Sequence, residues 1–245
     1  MQTSVLIVGH GSREPEGTYG FLELIRSVQK QVRSFVQPAF LEITSPSISE
    51  GADYCLSTGA KRLLVIPVFL FSGQDVKKKL PRALEEVRTG HPEVVVTLSP
   101  HIGEDPLILE ILKDRLRSVK GSWPLDDTAA LLVARGFSDP EALAEMEAVC
   151  IRFAKETGLR TVRQAFVEIA SPSIREGIQI CLASQIKGII ILPYLLFPGK
   201  MLKEIKNQVE AIRFHQAGPT SIQVADSLGP HPKLTDLLIE RIRKN

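Results

Sequence analysis

Apolar positions in this chain come in two kinds of run. Short continuous runs cover Ser4–Gly9, Ala39–Ile43, Arg62–Val68 and Val94–Leu98, then Ala129–Ala134, Ala165–Ile169, Gly188–Pro193 and Ile222–Ala225. Runs such as LLVIPV and IIILPY do not alternate with polar residues. They therefore predict parallel strands covered on both faces. The segments between them have helical spacing: Leu22, Ile25, Val28 and Val32 form one stripe, and Leu80, Leu84 and Val87 another. Ser45-Pro46-Ser47 and Ser171-Pro172-Ser173 read as helix starts, with proline suited to a first helical turn. Ser47 with Glu50, and Ser173 with Glu176, match a capping box. The expected architecture is α/β: two tandem, related, doubly wound domains, each a four-stranded, mainly parallel sheet with flanking helices.

The tandem organisation comes from a repeat. FLEITSPSISEG at Phe40–Gly51 returns as FVEIASPSIREG at Phe166–Gly177, with nine of twelve positions identical, 126 residues further on. That period is the length of a domain rather than of a solenoid unit. It predicts an N-terminal domain over residues 1–122 and a C-terminal copy over 123–245. The linker, Gly121, Ser122, Trp123, Pro124 and two aspartates, is too short for independent beads. A cleft between the halves is the expected site, since ligands of open α/β sheets bind beyond the C-terminal strand ends.

Composition narrows the class. Hydrophobic residues make up 44%, charged residues 24%, and the net charge is +2. Neither a polyanion-coating surface nor a basic run with interleaved aromatics is present, so no nucleic acid partner is expected. No run reaches membrane-span length. The start of the chain lacks a basic n-region and a small-residue cleavage site. The expectation is a cytoplasmic protein with no membrane partner. Cys55, Cys150 and Cys181 have no CxxC spacing and read as buried small apolar residues.

Three places carry candidate chemistry. Gly9-His10-Gly11-Ser12-Arg13 follows the first strand, and its glycines let backbone approach a ligand. His10 can be a metal ligand or proton acceptor, or a loop histidine without a role. An α/β-hydrolase oxyanion loop is disfavoured because no GxSxG elbow exists. Glu42 sits in the apolar run AFLEI, where a carboxylate needs a partner or a cation. Glu168 repeats it, which favours a structural role for at least one copy. Phe69–Lys79 follows the third strand and ends in Lys77, Lys78 and Lys79. Lysines at a helix start oppose the helix dipole, so they fit either an anionic ligand or a solvated face.

LIVGHGSREPEG, then AFLEITSPSI, then VIPVFLFSG and a basic helix resemble the sirohydrochlorin chelatases, the class II tetrapyrrole chelatases, in their long two-domain form. The resemblance covers nearly the whole chain. It implies a lyase of siroheme or cobalamin synthesis that inserts a divalent metal, cobalt or iron and in some members nickel, into sirohydrochlorin. ATP and an organic cofactor are not needed. It makes His10 the metal-binding histidine and proton acceptor, and Glu42 the accompanying carboxylate. The family's second histidine falls at Asp75 here. An aspartate can still ligate cobalt or iron, more weakly than imidazole.

The acidic ring implies a basic rim. Candidate substrate-binding residues are Gly11, Ser12, Arg13, Ser72, Gly73, Lys77 and Lys78 in the first half, and Arg135, Lys200 and Lys203 in the second. His101 is a further histidine at the same end of the sheet, with a surface role favoured. With one residue of slip, His10-Gly11 faces Arg135-Gly136, and Asp75 faces Met201. That pattern leaves one half to hold the metal and the other the ring. A monomer suffices, because the pairing is internal. Two other classes compete: a non-catalytic tetrapyrrole- or metal-binding protein, and a phosphate- or nucleotide-handling enzyme using the Gly9–Arg13 loop. The latter lacks a P-loop and a GxGxxG fingerprint.

Overall fold

The computed structural model describes residues 3–121, 123–184, 186–215 and 220–245; Ser122 of the linker lies outside them. The first copy runs β1 (Thr3–Gly9), α1 (Pro15–Gln29), β2 (Val36–Phe40), α2 (Ile48–Leu56), β3 (Arg62–Pro67), α3 (Leu80–Gly90), β4 (Val95–Leu98) and α4 (Pro106–Lys120). The second runs β5 (Thr128–Ala134), α5 (Pro140–Thr157), β6 (Thr161–Phe166), α6 (Ile174–Leu182), β7 (Gly188–Pro193), α7 (Lys200–His215), β8 (Ser221–Val224) and α8 (Pro232–Lys244). All strand pairs are parallel. The sheets have the orders β2-β1-β3-β4 and β6-β5-β7-β8. Among the described residues no helix is long and apolar enough to cross a membrane.

The continuous apolar runs are central strands, as their composition requires. Val5 to Val8 and Leu63 to Ile66 are buried. Leu80, Leu84 and Val87 pack into the first core beside Leu6, Val65 and Ile48. Ile205, Val209 and Ile212 pack into the second. The α1 stripe differs from expectation. Phe21, Leu24, Ile25 and Val28 are its buried residues, and α1 ends at Gln29, before Val32. The three cysteines are buried, and burial pushes the Cys55 and Cys150 thiols up to about 12 and Cys181 to about 11, so they pack rather than react.

Two local expectations are corrected. Pro46 lies before the N-cap, after a cis Ser45–Pro46 bond, and its carbonyl accepts from Phe40 N at 2.9 Å. Ser47 is the cap itself, and the capping box with Glu50 is complete, as is that of Ser173 with Glu176. Strand β2 stops at Phe40, so Glu42 stands past the strand with its side chain 41% exposed. The burial penalty assigned to it does not apply.

The compact units are not the two sequence halves. The first joins Met1–Ile108 to Pro230–Asn245, and the second is Leu109–Gly229. Helix α8 thus completes the first unit, packing on α1. Most of α4 belongs to the second, where Lys113 pairs with Glu156 at 2.9 Å and Arg115 donates to the Leu228 carbonyl at 3.1 Å.

Candidate metal centre

Strand β1 has β2 on one side and β3 on the other, so the order in which strands are added to the sheet reverses beside it. This is the switch point where α/β sheets open a crevice at their C-terminal ends. His10 leaves β1 there, Glu42 follows β2, and Asp75 follows β3. The backbone ties the first two together: Leu41 N donates to Gly9 O at 2.9 Å, and Glu42 N to His10 O at 3.0 Å. Gly11 has φ +96°, and a Cβ on it would lie 2.0 Å from Glu42 O. Only glycine fits there. Its place is therefore set by the Glu42 loop. Ser12 is likewise structural, since its N–H donates to Thr44 Oγ1 and its Oγ accepts from Glu14 N.

His10 Nδ1 lies 3.2 Å from Asp75 Oδ2. The atom is shielded from solvent and makes no aligned hydrogen bond, so the approach is a polar contact off the N–H axis. The ring's 41% exposure therefore lies on its other atoms. Asp75 Oδ1 meets Lys79 Nζ at 2.9 Å, and the same ammonium meets Glu42 Oε1 at 2.6 Å. The His10 imidazole foremost, with Lys79 adding to it against partial burial, holds the Asp75 carboxyl down at about 2. Glu42 and then Asp75 push the Lys79 ammonium up.

His10, Asp75 and Glu42 are thus gathered around one lysine. Among the described residues no three His, Cys, Asp or Glu side chains form a ready metal cluster. Lys79 lies between the carboxylates instead. In the sequence Lys79 reads only as one of three basic positions at a helix start; its two carboxylate partners account for its placement.

Its placement has a local cause. Asp75–Lys79 form a π-helical turn, with Leu80 N donating to Asp75 O. Before this turn the copies align at an offset of 126, because Gly73 O accepts from Lys77 N as Gly199 O does from Lys203 N. After it the core residues Leu80, Leu84 and Val87 correspond to Ile205, Val209 and Ile212, an offset of 125. The first copy has one extra residue, and a wide turn absorbs it. Pro81 follows and has no N–H for the preceding turn, so the helical ladder is interrupted there in any case. The shift in offset between the apolar stripes was the sequence signal for this turn.

The remaining candidates divide. Arg13, Lys77 and Lys78 are exposed on the first unit, and Ser72 is half-buried. Gly73 has open space around it, so its role is the backbone acceptor for the π turn. In the second unit Lys200 and Lys203 are exposed, while Arg135 Nε is bound to Glu168 Oε1 at 2.8 Å. Gly136, with φ +114°, faces the Glu168 carbonyl as Gly11 faces that of Glu42. This establishes the one-residue slip that sets Arg135 against His10. His101 is buried; its Nδ1 accepts from Gly103 N at 3.2 Å, and it does not join the other three.

A model of the CbiX family matches residues 4–119 and again 129–245. The sirohydrochlorin cobaltochelatase of Priestia megaterium is 34% identical over 242 residues, covering 97% of this chain and 78% of that one. The sirohydrochlorin ferrochelatase of the same organism is 29% identical over 241 residues, covering 98% and 89%. Among solved structures, SirB from Bacillus subtilis with Fe3+ superposes with a TM-score of 0.86 at 23% identity, covering 100% of this chain and 95% of the other. That likeness is one of fold.

Proposed function

The chain belongs to the CbiX family, and from that premise we propose that it is a sirohydrochlorin chelatase. It inserts Co2+ or Fe2+ into the ring without ATP, in cobalamin or siroheme synthesis, with Ni2+ as a further candidate. His10, Glu42 and Asp75 receive the metal. The observation that carries this reading is their convergence at the β1–β3 switch point, with one cationic centre between the carboxylates.

The metal is a substrate, and the reaction exchanges M2+ for two pyrrole N–H protons. His10 turns Nδ1 toward Asp75, which leaves Nε2 as the atom to accept one proton from the ring. Asp75 orients the imidazole and stabilises the imidazolium that forms. Glu42, exposed and one loop away, relays the second proton to water and is left ionised. The ring's carboxylates meet the exposed Arg13, Lys77 and Lys78 on the same unit.

An anaerobic assay with sirohydrochlorin and Co2+ or Fe2+, followed by the change in the ring's absorption spectrum, tests this. His10→Ala should slow insertion by about 10²-fold or more while the thermal midpoint stays within a few degrees. Near wild-type turnover by that variant would remove His10 from the reaction. Ring and metal binding without any rate above the uncatalysed reaction would instead identify a non-catalytic tetrapyrrole-binding protein.

A further inference from the structure

We propose that Lys79 is a built-in counter-cation that keeps the metal's place between Glu42 and Asp75 and is exchanged for the incoming divalent ion. This rests on the metal-site reading above. One ammonium touches an oxygen of each carboxylate, at 2.6 and 2.9 Å. Oxygens that share one ammonium at those distances need only a small closing-in to share a divalent ion at about 2.0–2.2 Å. Lys79 and a metal therefore compete for the same atoms.

The lysine is not there to serve the helix. It belongs to the turn that contains the first copy's extra residue, and the adjoining Leu80 takes the core position held by Ile205 in the second copy. In that second copy Glu168, the counterpart of Glu42, is neutralised by Arg135 from the loop instead. Both copies thus give this glutamate a resident cation. Only in the first copy is that cation shared with a second carboxylate, Asp75, so that its departure opens a place between two anionic oxygens.

Exchange suits a metal that is a substrate. A site must bind the ion and then surrender it to the ring. Without a resident cation, release would leave two carboxylates facing each other uncompensated. The returning ammonium removes that penalty, so the metal is held less tightly and transferred more readily. Lys79 is then a positioning residue that sets the affinity of the site.

Titration calorimetry of CoCl2 into the metal-free full-length protein tests the exchange. Lys79→Met should bind Co2+ tighter by roughly tenfold or more, because the competing charge is gone. Lys79→Arg, which keeps the charge, should bind no tighter than wild type. Equal or weaker binding by Lys79→Met would overturn the proposal. A measurement on the wild-type protein keeps the question decidable should Lys79→Met not fold. The 15N-detected ammonium signal of Lys79 should shift or be lost on saturation with diamagnetic Zn2+, and an unchanged signal would equally overturn it. His10→Ala and Asp75→Asn in the same titration separate the two levels. If both bind Co2+ as wild type does, the site reading itself fails. If they lose binding while Lys79→Met is not tighter, only the exchange fails.

Discussion

Asp75 uses its two oxygens for two different partners, Oδ2 for His10 and Oδ1 for Lys79. That division stabilises its charged form and gives a pH signature. The folded carboxyl is held near 2 against an ordinary 3.8, so the unfolded chain binds the proton more readily. Its contribution to stability is therefore complete above pH ~4 and is lost as pH falls through about 2. Urea midpoints measured between pH 5 and 2 should fall less steeply for Asp75→Asn than for wild type. Parallel curves would show that Asp75 carries no such linkage. Ile43 is the other unusual residue nearby: a β-branched side chain at φ 71°, costing about 1–3 kcal/mol. Ile169 repeats it at φ 72° beside Glu168, in a copy without His10 or Asp75. The strain therefore belongs to the shape of the loop, which brings the glutamate to the strand end, and not to metal chemistry.

At the scale of elements, the π turn distinguishes the copies: it sets Asp75 and Lys79 beside Glu42, whereas Glu168 in the second copy is met by Arg135. The turn does so while Leu80, Leu84 and Val87 keep the helix seated in the core. Deleting Lys78 should return the segment to the register of the second copy, with stability changed by no more than about 1 kcal/mol, because the apolar stripe stays in place. Deleting Glu85 inside α3 should instead turn Val87 away from the core by about 100° and cost several kcal/mol. Thermal melts of the two deletions check this, and equal losses would mean that the turn does not absorb the extra residue.

Across the whole molecule, the last helices are exchanged between the compact units. Arg241 of α8 donates to Ser99 Oγ at 3.3 Å, to the Pro100 carbonyl and to His101 O at 3.0 Å, and lies 3.5 Å from Asp105. These are groups of the loop after β4, so the unit bearing His10 depends on residues at the far end of the chain. Arg241→Ala should cost about 2–3 kcal/mol, since it leaves partly buried acceptors unpaired. It should also speed hydrogen exchange at Ile102 and Asp105. A change within about 0.5 kcal/mol would place the stability of that loop elsewhere.

Much of this was legible in the residues alone. The strands, the parallel sheets and the capping boxes are local properties, set by side-chain period and by which atoms can satisfy a neighbouring N–H. The repeat is arithmetic on the chain, the glycine-flanked loop pointed to His10, and the family resemblance alone pointed to Asp75. What tertiary structure decided was everything that depends on distance between separate strand ends. Glu42 lies beyond its strand because β2 stops at Phe40. Arg135 is engaged with Glu168 rather than free for a ring. Lys79 reaches both carboxylates because a helix widened by one residue re-aims a single side chain by a large angle, while the average apolar pattern around it barely changes. Helix exchange escaped the sequence for a related reason. The two copies have similar apolar faces on α4 and α8, so composition does not say which sheet each one covers.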